Sequence, residues 1–324
     1  MAKIIVEICQ NHRGDRDLMK EMVAAAAGNG ADIVKGQIIF SEDLTRRARF
    51  DGGVVEENGV VKAINRPFDA ESARLKQLDL TEADYHSFVD EVKRAGITPM
   101  LTVFSKKRIP LAASLPWAEE KLVKVASYDC GSHAMINELA HRFDTLIVST
   151  GASFDDEIKK TAGMLAEQKK RFALLHCVTS YPNTLPMCNL ARMEWLRQFS
   201  PEVGWSDHTL VARDGIKASQ VAIMLGADYV ERHFTVLPAD QTKDGPVSIN
   251  PKELAELAAF NKLSKEAQRA YVEEHIPEWR VMLGSPTRDL THTEMLNRDY
   301  YRGRFASFVG GEWIHNWEDK GTNV

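Results

Sequence analysis

A closed (β/α)8 TIM barrel is the fold class this sequence predicts, on three observations. Short β-branched apolar runs alternate with longer segments of helical period, and the units so formed number eight. Gly30, Gly96 and Gly226 each end a helical segment just before an apolar run, where a residue free to take positive φ closes a turn between helix and strand. The 324 residues accommodate one barrel of about 250 residues with extensions. The same alternation also permits a doubly wound open sheet, which stands as the alternative.

Taken in order, the strand candidates are residues 3–9, 32–38, 97–104, 121–127, 144–150, 172–178, 203–207 and 229–234. They are mostly apolar, as strands covered on both faces must be. Helical periodicity fills residues 17–29, 82–95, 154–168, 214–225 and 251–271. Two regions break the pattern. Residues 41–69 form a long polar loop after the second strand, with a hairpin expected around Glu57 and Gly59. Residues 276–324 are rich in Arg, Tyr and Trp but carry no strand series. The expected division is a barrel over 1–275 and an extension over 276–324 that packs on the barrel or on a partner subunit. Trp313 and Trp317 are expected to be buried in such an interface.

Composition narrows the function classes. Hydrophobic residues at 44% and charged residues at 27% argue against a disordered or fibrous chain. A formal charge of -5 offers no footing for nucleic acid, and the N-terminal apolar run is too short for a signal or a membrane anchor, so a cytoplasmic enzyme is expected. Cys9, Cys130, Cys177 and Cys188 lack CxxC spacing and read as small buried residues.

In such a barrel chemistry gathers at the C-terminal ends of the strands. Polar residues stand there on every strand: Glu7, Asn11 and His12; Lys35 and Gln37; Thr102 and Ser105; Lys124, Ser127 and Asp129; Ser149 and Thr150; His176, Thr179 and Tyr181; Ser206, Asp207 and His208; Glu231 and His233. Lys35 within DIVKGQI and Lys124 within KLVKVAS occupy positions where stability alone would place Val or Leu. A buried ammonium needs an anion. With hydroxyls at Thr102, Ser127, Ser149 and Ser206, the two lysines form a receptor for phosphate and carboxylate; internal ion pairs to Glu7 or Glu231 are the simpler alternative. His208 and His233 end consecutive strands, so their imidazoles can converge on one divalent metal of the Mn²⁺, Fe²⁺, Co²⁺ or Zn²⁺ type.

The segments EICQNHRG, ADIVKGQ, KVAS, IVSTGA, LLHCVTSYP, VGWSDHT, VERHFT and KDGPVSINP together resemble the catalytic barrel of the N-acetylneuraminate (sialic acid) synthase family, which includes legionaminic and pseudaminic acid synthases. The resemblance implies a metal-dependent synthase that condenses phosphoenolpyruvate with an open-chain aldose, such as N-acetylmannosamine or a related N-acylated hexosamine, to give a sialic-acid-like ketodeoxy sugar acid and phosphate. It implies a phosphoenolpyruvate receptor of Lys35, Thr102, Lys124, Ser127, Ser149 and Ser206 lined by Tyr181, and sugar contacts from Glu7, Gln37 and Asp244. Asp129 just after KVAS, and Thr179 and Ser248 within the segments, complete the substrate-binding candidates. His208 and His233 would hold the metal, with Mn²⁺ expected first, while Glu231 and then Glu7 are the candidates for proton transfer and Lys124 for charge neutralisation. A homodimer is expected.

Departures from the family pattern bear on the acceptor. Asp129 replaces a customary glutamate and Thr179 an asparagine. Family members carry a C-terminal antifreeze-like domain whose arginine reaches the acylated sugar, and these 324 residues contain no segment resembling it. Either the aldose differs from N-acetylmannosamine, or Arg302 or Arg304 of the YRGRF segment replaces that contact. An octulosonate or heptulosonate type synthase acting on a phosphorylated aldose would need a further basic cluster, for which Arg46, Arg47 and Arg49 are available. A sugar-binding barrel without catalysis would be expected to lack a histidine or a lysine of the set, and none is missing.

Overall fold

The protein is described here by a computed structural model covering residues 1–322. Eight parallel strands run β1 Lys3–Glu7, β2 Ile33–Ile38, β3 Thr98–Val103, β4 Leu122–Val125, β5 Thr145–Ser149, β6 Arg171–Cys177, β7 Glu202–Asp207 and β8 Tyr229–Phe234. Each pairs with the next in sequence, and β1 pairs with β8, so the sheet closes and has no free edge. A two-residue strand, Ser248–Ile249, adds to the outer end of β8. The predicted barrel is the observed one.

Helices cover the outside because the outward strand residues are apolar. Helix Arg16–Gly28 starts where the Asp15 carboxylate accepts from the backbone of Asp17 and Leu18, and it buries Met19, Met22, Val23 and Ala26, spaced three or four apart. Helix Glu82–Arg94 starts with a capping box between Thr81 and Asp84 and buries Tyr85, Phe88, Val89 and Val92. These side chains meet Ile4, Val6, Val34, Leu101, Val123, Leu146, Val148, Leu174 and Val230 from the strands in one continuous outer core.

A second core fills the barrel itself. Ile5, Ile33, Met100, Leu122, Ile147, Ala173, Leu175 and Tyr229 form a separate apolar cluster, one or two from each strand except β7. On β7 the inward position is Gly204, where a Cβ would stand 2.3 Å from the carbonyl oxygen of Tyr229 and 2.6 Å from Leu175. Strand side chains alternate in direction. Two residues beyond each plug residue the same inward face therefore carries Glu7, Lys35, Thr102, Lys124, Ser149, Cys177 and Glu231, joined by Ser206 beyond Gly204. The opposite parity places Arg232 and Asp207 outside the sheet, where they pair at 2.7 Å with no solvent exposure.

The insertion and the extension meet above the barrel mouth. Within the loop after β2, Val54–Val55 and Val61–Ala63 form the expected hairpin, with Gly59 at φ 82° in its turn. The extension places helix His292–Tyr301 over the loops after β5 and β6: Arg298 donates to the carbonyl of Ala152 at 2.7 Å and Asn297 to that of Thr179 at 2.7 Å. Beyond it, Thr45 N donates to the Arg304 carbonyl at 2.9 Å and Ala306 N to that of Asp43 at 3.0 Å. Among the described residues Trp313 and Trp317 are covered only in part, by Phe308 and by His315 and Arg302, and remain 39% and 38% exposed.

Replacing Gly204 by Ala forces a methyl group against immovable backbone, and overpacking of this kind costs about 1–3 kcal/mol. Urea unfolding should show that loss; a midpoint unchanged from the parent chain would mean that β7 and β8 do not approach so closely.

Candidate active site

Strand register brings the predicted residues together. Glu7 lies beside both Lys35 and His233, Thr102 beside both Gln37 and Lys124, and Ser206 beside both Cys177 and Glu231. All of these except Cys177 line a cavity of about 650 Å³ at the C-terminal end of the barrel, within the range of small-molecule sites.

At its floor four buried charges are paired. Lys124 Nζ is 3.0 Å from Glu231, Lys35 pairs with Glu7 and also donates to Thr102 Oγ1 at 3.1 Å, and Ser206 donates to Glu231 at 2.8 Å. The internal ion pairs that the sequence left as the simpler alternative are thus present, on the wall of an open cavity. Burial alone would raise the Glu231 carboxyl, but Lys124 and Lys35 outweigh it and hold the group well below the usual carboxylate range. Burial pulls Lys35 below the ordinary ammonium range; the carboxylate of Glu231 opposes that, and Glu7 lies against the same nitrogen. Ser149 Oγ, buried at this level, has no hydrogen-bond partner among the described residues, so a hydroxyl donor is left for an oxygen-rich ligand.

The two histidines adjoin this floor, with ring centroids 5.4 Å apart and Tyr181 laid over His208 at 4.0 Å. His208 Nδ1 is 3.2 Å from the carbonyl of Val178; donation there leaves Nε2 with the lone pair. Burial, then the neighbouring His233, lowers His208 to about 3, and burial lowers His233 as well, so both rings are neutral at ordinary pH. His233 Nδ1 is buried without a hydrogen-bond partner among the described residues. Around it, Cys9 Sγ, a ring nitrogen of His233 and a carboxylate oxygen of Asp244 all lie within 4.8 Å of one another. Ligands bound at about 2.0–2.3 Å from one ion need only a slight approach from that spacing. The donor set fits a divalent transition metal. Burial and the Asp244 carboxylate push the Cys9 thiol well up, so it keeps its proton until a cation displaces it.

Of the residues that the sequence pointed to, Glu7, Lys35, Gln37, Thr102, Lys124, Ser127, Ser149, Tyr181, Ser206, His208, Glu231, His233 and Asp244 line the cavity. The other substrate-binding candidates, Asp129, Thr179 and Ser248, do not, nor do the strand-end residues Asn11, His12, Ser105, Thr150, His176 and Asp207. Asp129 turns away to accept from Ser132 and from Asn316 of the extension, at 2.8 and 3.0 Å. Thr179 is fully buried under helix His292–Tyr301, its carbonyl taken by Asn297. Ser248 is tied to Asn11 and to the Asp244 carbonyl at 3.0 and 2.7 Å, bracing the loop instead of facing a substrate.

Most of the rim was not foreseen from the sequence. Thr293, Asn297 and Tyr301, four residues apart and so on one helix face, form one side with Arg304; Gln10, Arg66, Arg74 and Lys243 form another. The four-residue spacing was the available signal. Of the two candidate arginines in YRGRF, Arg304 reaches the cavity, whereas Arg302 pairs with Glu157 at 3.1 Å outside it. Glu71 pairs with Arg74 at 2.8 Å and with Arg304; burial would raise its carboxyl, but Arg74, Arg304 and Lys243 bring it down to about 2. Crowding by the protein lowers the Lys243 ammonium to about 8, against the pull of Glu71 and with the repulsion of Arg74, Arg304 and Arg66.

Comparison with known proteins gives the same assignment by a separate route. An uncharacterized protein of Methanocaldococcus jannaschii is 30% identical over 78% of this chain and 68% of its own length. The N,N'-diacetyllegionaminic acid synthase of Legionella pneumophila is 31% identical over 78% of this chain and 69% of its own. Among solved structures, the N-acetylneuraminic acid (sialic acid) synthetase of Leptospira borgpetersenii superposes with a TM-score of 0.68 at 24% identity, covering 92% of this chain and 90% of that one, a likeness of fold. A family model, described as the NeuB family, matches residues 22–271, from the first barrel helix to the helices beyond β8, and the chain belongs to that family.

Proposed function

We propose that this barrel joins phosphoenolpyruvate to an open-chain aldose, the class that includes N-acetylmannosamine and related N-acylated hexosamines. The methylene carbon of phosphoenolpyruvate bonds to the aldehyde carbon, water adds to the second carbon, and phosphate leaves as its C–O bond breaks. The product is a ketodeoxy sugar acid of the sialic acid type. The observation that carries this reading is the floor itself: two lysines, two carboxylates and three hydroxyls, from Thr102, Ser149 and Ser206, on the inner wall of one cavity beside two neutral imidazoles. The relatives named for sialic-acid-like synthases support it.

Each residue has a task in that reaction. Lys124 and Lys35 exchange part of their pairing with Glu231 and Glu7 for the phosphate and carboxylate of the substrate, while Ser149 donates its unused hydroxyl proton. Glu231, ionised beside Lys124 and hydrogen-bonded to Ser206, is placed to accept a proton from the attacking water, and Glu7 is the second carboxylate within reach of the floor. Gln37 and Asp244 face the acceptor. A divalent metal would be held by His208 and His233 with Asp244 and Cys9 adjoining, and when bound it would polarise the aldehyde oxygen. Mn²⁺ heads the expectation from the histidine pair; the sulfur of Cys9 moves the balance toward Co²⁺, Fe²⁺ and Zn²⁺. A homodimer in the cytoplasm remains part of the proposal.

A phosphate-release assay with phosphoenolpyruvate, a panel of divalent metals and a panel of aldoses tests the reaction directly; no release with any pairing would defeat it. Lys124→Met should weaken phosphoenolpyruvate binding by at least about tenfold, the scale of one charge-assisted contact, with a much smaller effect on aldose. Calorimetric titration showing unchanged phosphoenolpyruvate affinity would place the receptor elsewhere. His208→Ala and His233→Ala should each lose turnover and bound metal while keeping the circular dichroism of the parent chain. In the Co²⁺-loaded protein a thiolate-to-metal absorption band should appear and should vanish in Cys9→Ser; its presence in that variant would remove Cys9 from the metal site.

A further inference from the structure

Each of the eight strands sends one side chain into the layer above the apolar plug, and seven of the eight reach the cavity: Glu7, Lys35, Thr102, Lys124, Ser149, Ser206 and Glu231. The eighth, Cys177 at the end of β6, does not. It is buried behind Ser127, whose Oγ lies 3.0 Å from its sulfur, and Ser127 is the residue that meets the cavity there. Ser127 Oγ has no other hydrogen-bond partner among the described residues. The contact is walled in. Gly151 follows β5, and a Cβ there would stand 2.4 Å from Cys177 Sγ and 3.0 Å from Ser127 Oγ, so a residue without a side chain leaves room for the pair. Ser153 Oγ donates to the carbonyls of Ser127 and Gly151 at 3.0 and 3.2 Å and fixes the backbone around it.

The roles within the pair follow from what each group can do. Burial pushes the Cys177 thiol above its ordinary value, against the pull of the Ser127 hydroxyl and the Lys124 ammonium, so the sulfur keeps its proton. The backbone N–H of Gly151 lies toward the sulfur, which leaves the S–H to point at Ser127. A serine has one hydrogen to give and two lone pairs, whereas a thiol sulfur is a weak acceptor. Any oxygen in the cavity, of water or of an anion, is a better acceptor for the serine hydrogen, and the Ser127 oxygen is then free to accept from the thiol. Resting on the reaction proposed above, we infer that Cys177 is a positioning residue for phosphoenolpyruvate: its S–H donates to Ser127 Oγ and so turns the Ser127 hydroxyl hydrogen into the cavity, toward the anionic substrate beside Lys124. Cys177 itself never touches the substrate. Its influence passes through one oxygen, which separates it from a residue that only fills space.

Calorimetric titration of phosphoenolpyruvate into the full chain tests that separation. Cys177→Ala should weaken binding about three- to tenfold, the scale of one hydrogen bond, and Cys177→Ser, which keeps a donor at the same place, should recover most of the loss. In Ser127→Ala the effect should already be complete, so that adding Cys177→Ala weakens binding no further. Losses that add in the double variant, or an alanine variant that binds as tightly as the parent chain, would overturn the inference. A second measurement does not depend on the substrate. The S–H stretching band of Cys177, isolated as the infrared difference between the parent chain and Cys177→Ser, should move to higher frequency in Ser127→Ala, where its acceptor is gone; an unmoved band means that the thiol does not donate to Ser127. If the parent chain fails to bind phosphoenolpyruvate while the band moves, the proposed reaction falls and the orientation of Ser127 by Cys177 stands. Binding with an unmoved band removes the role of Cys177 alone.

Discussion

An ammonium buried inside a barrel keeps its charge only if a carboxylate is buried beside it, and this requirement organises the centre of the molecule. Lys124 and Glu231 come from β4 and β8, so their pair forms only across the closed barrel, while Lys35 and Glu7 lie opposite each other on neighbouring β1 and β2 in the observed register. Replacing such pairs with apolar residues of similar volume is often neutral or stabilising, so their presence on a cavity wall is better explained by a ligand than by folding. Because Glu231 is ionised and Ser149 has a hydroxyl to give, the floor already holds fixed charges and dipoles before any substrate arrives. Preorganisation of this kind supplies much of the rate in reactions that develop charge.

The eight strands were legible because closed parallel barrels need apolar runs with helices between them, and the polar interruptions at Lys35, Lys124, His208, Glu231 and His233 were legible because they violate that pattern. Which interruptions face inward was harder to read. Asp207 and Arg232 flank the histidines in sequence, yet period-two alternation turns both outward into a dry ion pair. Asp129 and Thr179 lie past the strand ends and Ser248 in a two-residue strand too short for a period to fix direction, and local hydrogen bonds to Asn316, Asn297 and Asn11 decide their orientation. The rim cations escaped notice for the same reason. Arg66 and Arg74 lie far in sequence from Lys243, on loops and a short helix, and only the folded chain shows that they share an opening with Arg304.

The loop after β2 and the extension after the barrel read as separate irregularities in the sequence, but they are one structure. Asp43 accepts from Arg108 and Ser105 and, through its carbonyl, from Ala306, so a single residue ties the barrel, the insertion and the extension together. Glu71 repeats the arrangement by pairing with one arginine from each side of the mouth. Floor and rim thereby fall on different parts of the chain: the floor belongs to strands whose side chains are locked by register, and the rim to the insertion, the extension and the loop after β8.

The apolar plug formed by Ile5, Ile33, Met100, Leu122, Ile147, Ala173, Leu175 and Tyr229, completed by the missing side chain at Gly204, makes the barrel a vessel with one mouth. Everything that reaches the floor has to pass the rim, and everything that leaves has to return the same way. Under the proposed reaction, phosphoenolpyruvate held by Lys35 and Lys124 lies beneath the aldose, so the deeper substrate must enter first. Steady-state kinetics would then be of compulsory order, with the aldose acting as a stopper, and an excess of aldose would inhibit by occupying the mouth before the floor is filled.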